Sequence, residues 1–304
     1  MTSHKPLLNL LMLATMWWGL GGLALAQEGV SKTSVVLGQS VALTGSSAPL
    51  GQSFAQGAKL YFDRLNAAGG VHGRTIELVT LDDEGLAANT EANTRKLLAQ
   101  GVFSLFGYYG SPQLTAAYAA AKGSDVLFFA PMAAADEFRG MAYPNVYSIR
   151  PGYSEEAAAI TRHAETLGAR ELAILHSGDG ESLAALESAE RTMTSLGANL
   201  LIKTPIENAE KALQTKPDCV LVISDPKGAA AAIKELRSRL FRGPVYGFSN
   251  TGESLLAEQL GPLGAGVVVA RVVPKSDNSK FGLVRDMLAD LGAAKLGKPN
   301  VYML

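Results

Sequence analysis

Two kinds of apolar pattern alternate along the chain. Leu105–Tyr109, Val126–Ala130, Leu172–His176 and Cys219–Ser224 are apolar almost throughout, as strands buried on both faces should be. Between such runs, longer stretches place apolar residues at helical spacing. Phe54, Ala58, Tyr61, Phe62 and Leu65 share one face of a helix expected over 51–68, which Gly69-Gly70 ends. The same reading predicts strands at 34–43, 75–81, 102–108, 125–130, 146–150, 171–176, 199–203, 219–224, 245–248 and 267–273. Helices are predicted at 87–100, 112–122, 155–167, 181–196, 227–240, 254–260 and 280–291, with a short one after 203. Strands followed by helices in this order argue for an α/β fold with parallel sheets covered on both faces.

A length of 304 residues suffices for two domains. The rhythm restarts near Pro144–Pro151 without a low-complexity linker, which suggests lobes joined by crossing strands. The expected division is an N-terminal lobe at 27–148, a C-terminal lobe at 149–274 and a return to the first lobe at 275–304. Residues 1–26 read as a signal peptide. His4 and Lys5 precede an uncharged apolar run, Leu7–Leu25, and Ala24-Leu25-Ala26 offers a small-x-small site with cleavage between Ala26 and Gln27. The alternative is an uncleaved membrane anchor. Cleavage implies export, with the periplasm as the expected location.

Apolar residues make up 47% of the chain and charged ones 18%, the composition of a folded globular protein. The net charge of -1 and the lack of a basic block argue against nucleic acid as a partner. Cys219 is the single cysteine, so no disulfide forms within the chain. Its apolar neighbours mark it as a small buried residue. With four histidines, one of them in the signal segment, a His/Cys metal site is not expected, and no cofactor is.

In open parallel sheets, ligands bind beyond the carboxyl ends of the strands. That rule selects the loops at 44–50, 109–111, 131–134, 177–180 and 249–252. They are rich in glycine, hydroxyl and small residues, which lets backbone N–H groups approach a ligand. Ser111-Pro112 opens a helix whose spare N–H donors suit a carboxylate, although Ser111 would equally cap its own helix. Tyr109, Tyr153 and Met132 could form an apolar wall or belong to the core. Neither a G-x-S-x-G elbow nor a phosphate-binding glycine loop follows a strand, so an enzyme is not expected. Asp82-Asp83-Glu84 reads as a solvated turn rather than a cation site, and His176 stands without a partnered nucleophile.

These loops lie in a sequence that resembles the leucine/isoleucine/valine-type periplasmic binding proteins of ABC importers. The likeness runs from about Ser34 to the end. "VALTGSSAPLGQSFAQGAKLYFDRLNAAGGVHGRTIELVTLDDEG" is its most specific part, with "FGYYGSPQLTAA", "FFAPMAAADEFR", "VYSIRPGYSEEAAAI" and "GAGVVVARVVP" in support. The resemblance implies the type I periplasmic-binding-protein fold: two Rossmann-like lobes with parallel sheets, joined by three hinge crossovers, that close on a small molecule. It also implies a monomer that delivers its ligand to an ABC importer permease in the inner membrane.

Residue by residue, Ser111, in the loop with Tyr109 and Gly110, matches the serine that holds a ligand α-carboxylate. Leu50 matches a position in the side-chain pocket. Met132 and Ala134, with Ala133 between them, match a strand-end loop that touches ligand. Ala134 replaces a hydroxyl residue of the amino-acid binders, "HSGDGES" lacks their aromatic, and Ser249, beside Asn250, stands where they carry an acid. A carboxylate-bearing or neutral compound therefore fits better than an α-amino acid, unless Asp179 supplies the missing charge. "KPNVYML" resembles the run that leads into a further helix of the first lobe, so the chain reads as C-terminally truncated. The alternatives are a ligand-sensing receptor module or an inactive truncated remnant.

Overall fold

The computed structural model describes residues 28–304; the expected signal segment with its Ala26–Gln27 cleavage point lies outside the described residues. The first half runs β1 (Ser34–Val41), α1 (Ala48–Ala67), β2 (Thr75–Asp82), α2 (Ala87–Ala99), β3 (Ser104–Phe106), α3 (Ser111–Ala120), β4 (Leu127–Phe129) and β5 (Val146–Tyr147). Its strands form one parallel sheet in the order β2-β1-β3-β4-β5. The second half begins with α4 (Tyr153–Thr166). It continues with β6 (Glu171–His176), α5 (Gly180–Ser195), β7 (Asn199–Pro205), α6 (Ala209–Gln214) and β8 (Cys219–Ile223). Then follow α7 (Pro226–Ser238), β9 (Val245–Gly247), α8 (Glu253–Leu260) and β10 (Val267–Val269). These strands also pair in parallel, in the order β7-β6-β8-β9-β10. Both sheets thus use one winding: the second strand at an edge, then the first, third, fourth and fifth.

Strand alternation explains the second core. Cys219, Leu221 and Ile223 of β8 join Leu172 and Ile174 of β6 on one face, packed against Ala157 and Ile160 of α4 and Ala185 and Ala189 of α5. Val220 and Val222 point the other way, with Ala173 and Leu175, to meet Ala229, Ile233 and Leu236 of α7. All five residues of β8 are buried, which is why its sequence lacks a polar alternation. Each Val, Leu or Ile side chain among them contributes about 1.5–3 kcal/mol on burial. Burial also pushes the Cys219 thiol up to about 12. Cys219 is therefore expected to resist a thiol-reactive dye in the native protein at mildly alkaline pH and to react fully in denaturing urea; fast native labelling would contradict its placement.

A third element set returns to the first half. α9 (Gly282–Ala293) lies against α1, where Val284, Met287 and Leu291 pack on Leu60, and Arg64 bridges Asp286 at 2.8 Å and Asp290 at 3.0 Å. The turn at Val301–Met303 sits on α1 where a Cβ at Gly57 would come within 2.2 Å of the Met303 carbonyl oxygen, so glycine is required there.

Four strands are markedly shorter than the sequence suggested, β5 among them, with two residues where five were expected. β3 ends at Phe106 because Gly107 takes φ 60°, and β4 ends at Phe129 because Ala130 takes φ 54°; neither is an extended conformation. β10 spans only Val267–Val269 of the run expected to 273. No described helix is long and apolar enough to cross a membrane.

Candidate functional site

In a sheet wound in this order the chain changes direction between its first and third strands, and the loops there diverge to leave a crevice. α3 follows β3 at that point of the first sheet, and α5 follows β6 at that point of the second. The N-termini of these two helices meet. A Cβ at Gly180 would lie 2.8 Å from Cγ of Pro112, so only glycine allows the approach.

Gly110, at φ 98°, turns the chain so that Ser111 becomes the first residue of α3. The cap of α3 is therefore Gly110, and the Ser111 side chain makes no cap bond to its own helix. Its hydroxyl faces the second half instead. The Ser111 backbone N–H donates to Glu181 Oε2 at 2.5 Å, and its Oγ donates to Glu181 Oε1 at 3.1 Å. The same Oγ accepts from the Ala135 backbone N–H at 3.1 Å. The Tyr153 hydroxyl adds a third donor to this carboxylate, at 2.5 Å from Oε1. Tyr153 is fully buried at the start of α4, with its ring edge-on to Phe248 at 5.1 Å. Burial, with the nearby Glu181 charge, raises its hydroxyl well above the usual range and keeps it a donor.

A buried ion pair lies beside this junction. Arg150 reaches Glu156 at 2.5 Å, and both side chains are almost completely buried. Arg150 also donates to Ser249 Oγ at 2.8 Å. Glu156 accepts from the Ser249 backbone N–H at 2.7 Å and its hydroxyl at 2.9 Å. Burial raises the Glu156 carboxyl, while Arg150 and the Ser249 donors oppose that rise. Tyr302 ties the return segment in by donating to the Ser249 carbonyl at 2.5 Å. Arg139 holds the neighbouring loop: its guanidinium donates to the carbonyls of Ala133, Ala134 and Ala135 and, across the passage between the halves, to those of Arg150 and Pro151.

The structure brings together Tyr109, Gly110, Ser111, Met132, Ala133, Ala134, Tyr153 and Ser249 from the residues singled out in the sequence. Tyr109 and Met132 are joined by a parallel bridge, with the Gly110 N–H donating to the Met132 carbonyl at 3.3 Å. Asn250 lies next to Ser249, and its Oδ1 is buried with no hydrogen-bond partner. Leu50 is buried in the first turn of α1. Asp179 does not stand free as a counter-charge: it caps α5, accepting from the Ser182 N–H at 2.9 Å and hydroxyl at 2.7 Å.

The acidic run at 82–84 is a solvated turn only at its end: Glu84 is exposed in the turn, whereas the two aspartates are bonded into the structure. Asp83 is buried and accepts from Ser40, Thr90 and the Gly85 N–H. Asp82 accepts from Thr44 Oγ1 and from the N–H groups of Glu84, Leu43 and Thr44, bonds that draw its carboxyl down to about 2 despite some desolvation. The run anchors the 43–45 loop. No cluster of three or more His, Cys, Asp or Glu suited to a metal occurs among the described residues.

Glu181 was missed from sequence, as were the Arg150–Glu156 pair, Arg139 and Tyr302. An acid in the first turn of a helix reads as a complement to the helix dipole, which hides a contact to another element.

Beside the junction runs an apolar groove of about 370 Å³, floored by Leu37, Phe106 and Phe129 and walled by Phe54 and Phe62. Met132, Arg150 and Ser249 stand where it meets the polar groups. The groove contains few polar atoms, and Arg150 and Ser249 are already bonded to each other and to Glu156.

Comparison with known proteins fits this arrangement. A sequence profile of the family described as "periplasmic binding protein" matches residues 34–301. A Leu/Ile/Val-binding protein homolog 8 of Brucella abortus (strain 2308) is 32% identical over 120 residues, which is 38% of this chain but 29% of that protein. The chain thus matches less than a third of that relative's length. Among solved structures, a possible leucine/isoleucine/valine-binding protein from Rhodopirellula baltica SH 1 superposes with a TM-score of 0.80 at 23% identity, covering 89% of this chain and 78% of that one. A solute-binding protein of an ABC transporter from R. palustris, in complex with benzoate, gives 0.75 at 21% identity, with 89% and 76% covered. At such identities the likeness establishes the fold. Two parallel sheets of identical winding, whose crevices meet at Ser111 and Glu181, and a family match from 34 to 301 place this chain in the periplasmic binding protein family, with its type I fold.

Proposed function

We propose that this chain is an extracytoplasmic solute-binding protein that takes a small molecule between its two halves and delivers it to an ABC importer permease. The observation that carries the reading is the contact of two strand-end crevices across the Ser111–Glu181–Tyr153 junction. Such a contact can open and close as the halves rotate about the passage near Arg150. The groups at the junction are hydrogen-bond donors and acceptors, with no activated nucleophile among them, which suits capture better than turnover. The relatives' names point the same way: one is called a Leu/Ile/Val-binding protein homolog and another a solute-binding protein of an ABC transporter. The division into lobes at 27–148 and 149–274, with 275–304 returning to the first, belongs to the same proposal, as does a monomeric state in the periplasm.

The test is a thermal-shift and calorimetric screen of the mature chain against alcohols, amides, amines, carboxylic acids and amino acids. A cognate solute should bind at about micromolar Kd, roughly -8 kcal/mol, and at a hundredfold excess over Kd should add about 2.7 kcal/mol of stability. A cooperatively folded chain that responds to no member of a broad library would refute capture.

A further inference from the structure

The place at Ser111 where a ligand anion would settle is filled by the protein itself. Glu181 reaches it from α5, and its two oxygens take up the Ser111 N–H, the Ser111 hydroxyl and the Tyr153 hydroxyl. We infer that Glu181 is a built-in occupant of this position and a determinant of specificity. It turns away ligands that present a carboxylate there and admits those whose polar head is uncharged or cationic: an alcohol, an amide or an amine. The inference rests on the capture reading for its ligand, and it narrows the ligand expected from sequence to compounds without a carboxylate at this point.

Counting acceptor sites supports it. A carboxylate offers about four lone-pair positions. Oε1 accepts two hydrogen bonds here and Oε2 accepts one. One position on Oε2 is left, and it calls for a ligand donor. On the Ser111 side nothing is left for a ligand acceptor, because the N–H and the hydroxyl both donate to Glu181. A ligand carboxylate would also meet a like charge at close range in a partly buried site, which is unfavourable. Arg150, beside the junction, is already committed to Glu156 and Ser249 and cannot offset that repulsion. The arrangement is held from both sides. Tyr153 is fixed in the core, and the contact of Gly180 with Pro112 fixes the start of α5.

Acetate tests this directly, because it has the carboxylate of Glu181 without the tether. Glu181→Ala vacates the position, Glu181→Ser is a second vacated form, and Glu181→Gln fills it with a neutral group of the same size. Calorimetry and thermal denaturation of all four proteins with acetate, and with acetamide as the uncharged control, give the readout. The vacated forms should bind acetate at least about tenfold more tightly than the wild-type chain and gain melting temperature from it. Acetamide should produce no such gain, and Glu181→Gln should respond like the wild type. Equal acetate binding by wild-type and vacated chains, no gain in vacated chains that still melt cooperatively, or failure of both vacated forms to fold even with acetate would each overturn the assignment. The solute screen and the acetate titration fail separately. A screen without hits removes the capture reading and leaves the acetate result standing; a solute found together with a negative acetate result removes only Glu181.

Discussion

Arg150→Met should destabilise the protein by about 3–5 kcal/mol, the cost of leaving one member of a buried ion pair without its partner. Glu156 would remain in a site where its side chain is 3% exposed, with only the Ser249 donors to stabilise its charge. Burial already raises its carboxyl, and removing the guanidinium would raise it further, so the variant should regain part of its stability as pH falls and Glu156 takes up a proton. Urea denaturation at two pH values measures both effects. The double variant Arg150→Met/Glu156→Gln should be less destabilised than the single one, since no unpaired charge remains. A single variant within about 1 kcal/mol of wild type would place the pair in solvent rather than in the interior.

Phe248→Ala should cost about 3–5 kcal/mol, the range for deleting a fully buried phenyl ring. Phe248 has no exposed surface, ends the run that begins with β9, and meets the Tyr153 ring edge-on at 5.1 Å. The cavity left behind would lie beneath Tyr153, the residue that holds Glu181 against Ser111. Two readouts should therefore move together: the midpoint of urea unfolding falls, and affinity for any solute found in the screen falls with it. Phe248→Leu, which keeps most of the volume, should retain most of both. A loss of stability with unchanged affinity would show that Tyr153 is held by other contacts.

How far the sequence revealed this depended on where each residue's partners lie. β6 and β8 were legible because both faces are covered, so their apolar runs are unbroken. β3, β4 and β5 span two or three residues each and exist through pairing with neighbours, and their ends depend on single backbone turns at Gly107 and Ala130. The strand-end loops were legible from the winding rule, and most of the residues chosen from them do converge. The roles within them were not. Ser111 carries the same sequence signal as a helix cap or as a first helical residue, and its true partner lies 70 residues away. Asp82 and Asp83 looked like a surface turn because Thr44, Ser40 and Thr90, which bind them, are brought there only by the β1–β2 pairing and α2. Asp179 was weighed as a charge for the ligand when its neighbour two residues on was the acid at the junction.

Each sheet comes from one unbroken stretch of chain, whereas α9 belongs with a helix made long before it. During synthesis, at roughly 5–20 residues per second, the face of α1 around Gly57 and Leu60 waits on the order of ten seconds after β5 is complete for its cover to arrive. The Arg64–Asp286 bridge then closes a loop of 222 residues. That closure spans far more chain than any strand pairing within either sheet, so the contact of α9 with α1 carries the larger loop-closure cost.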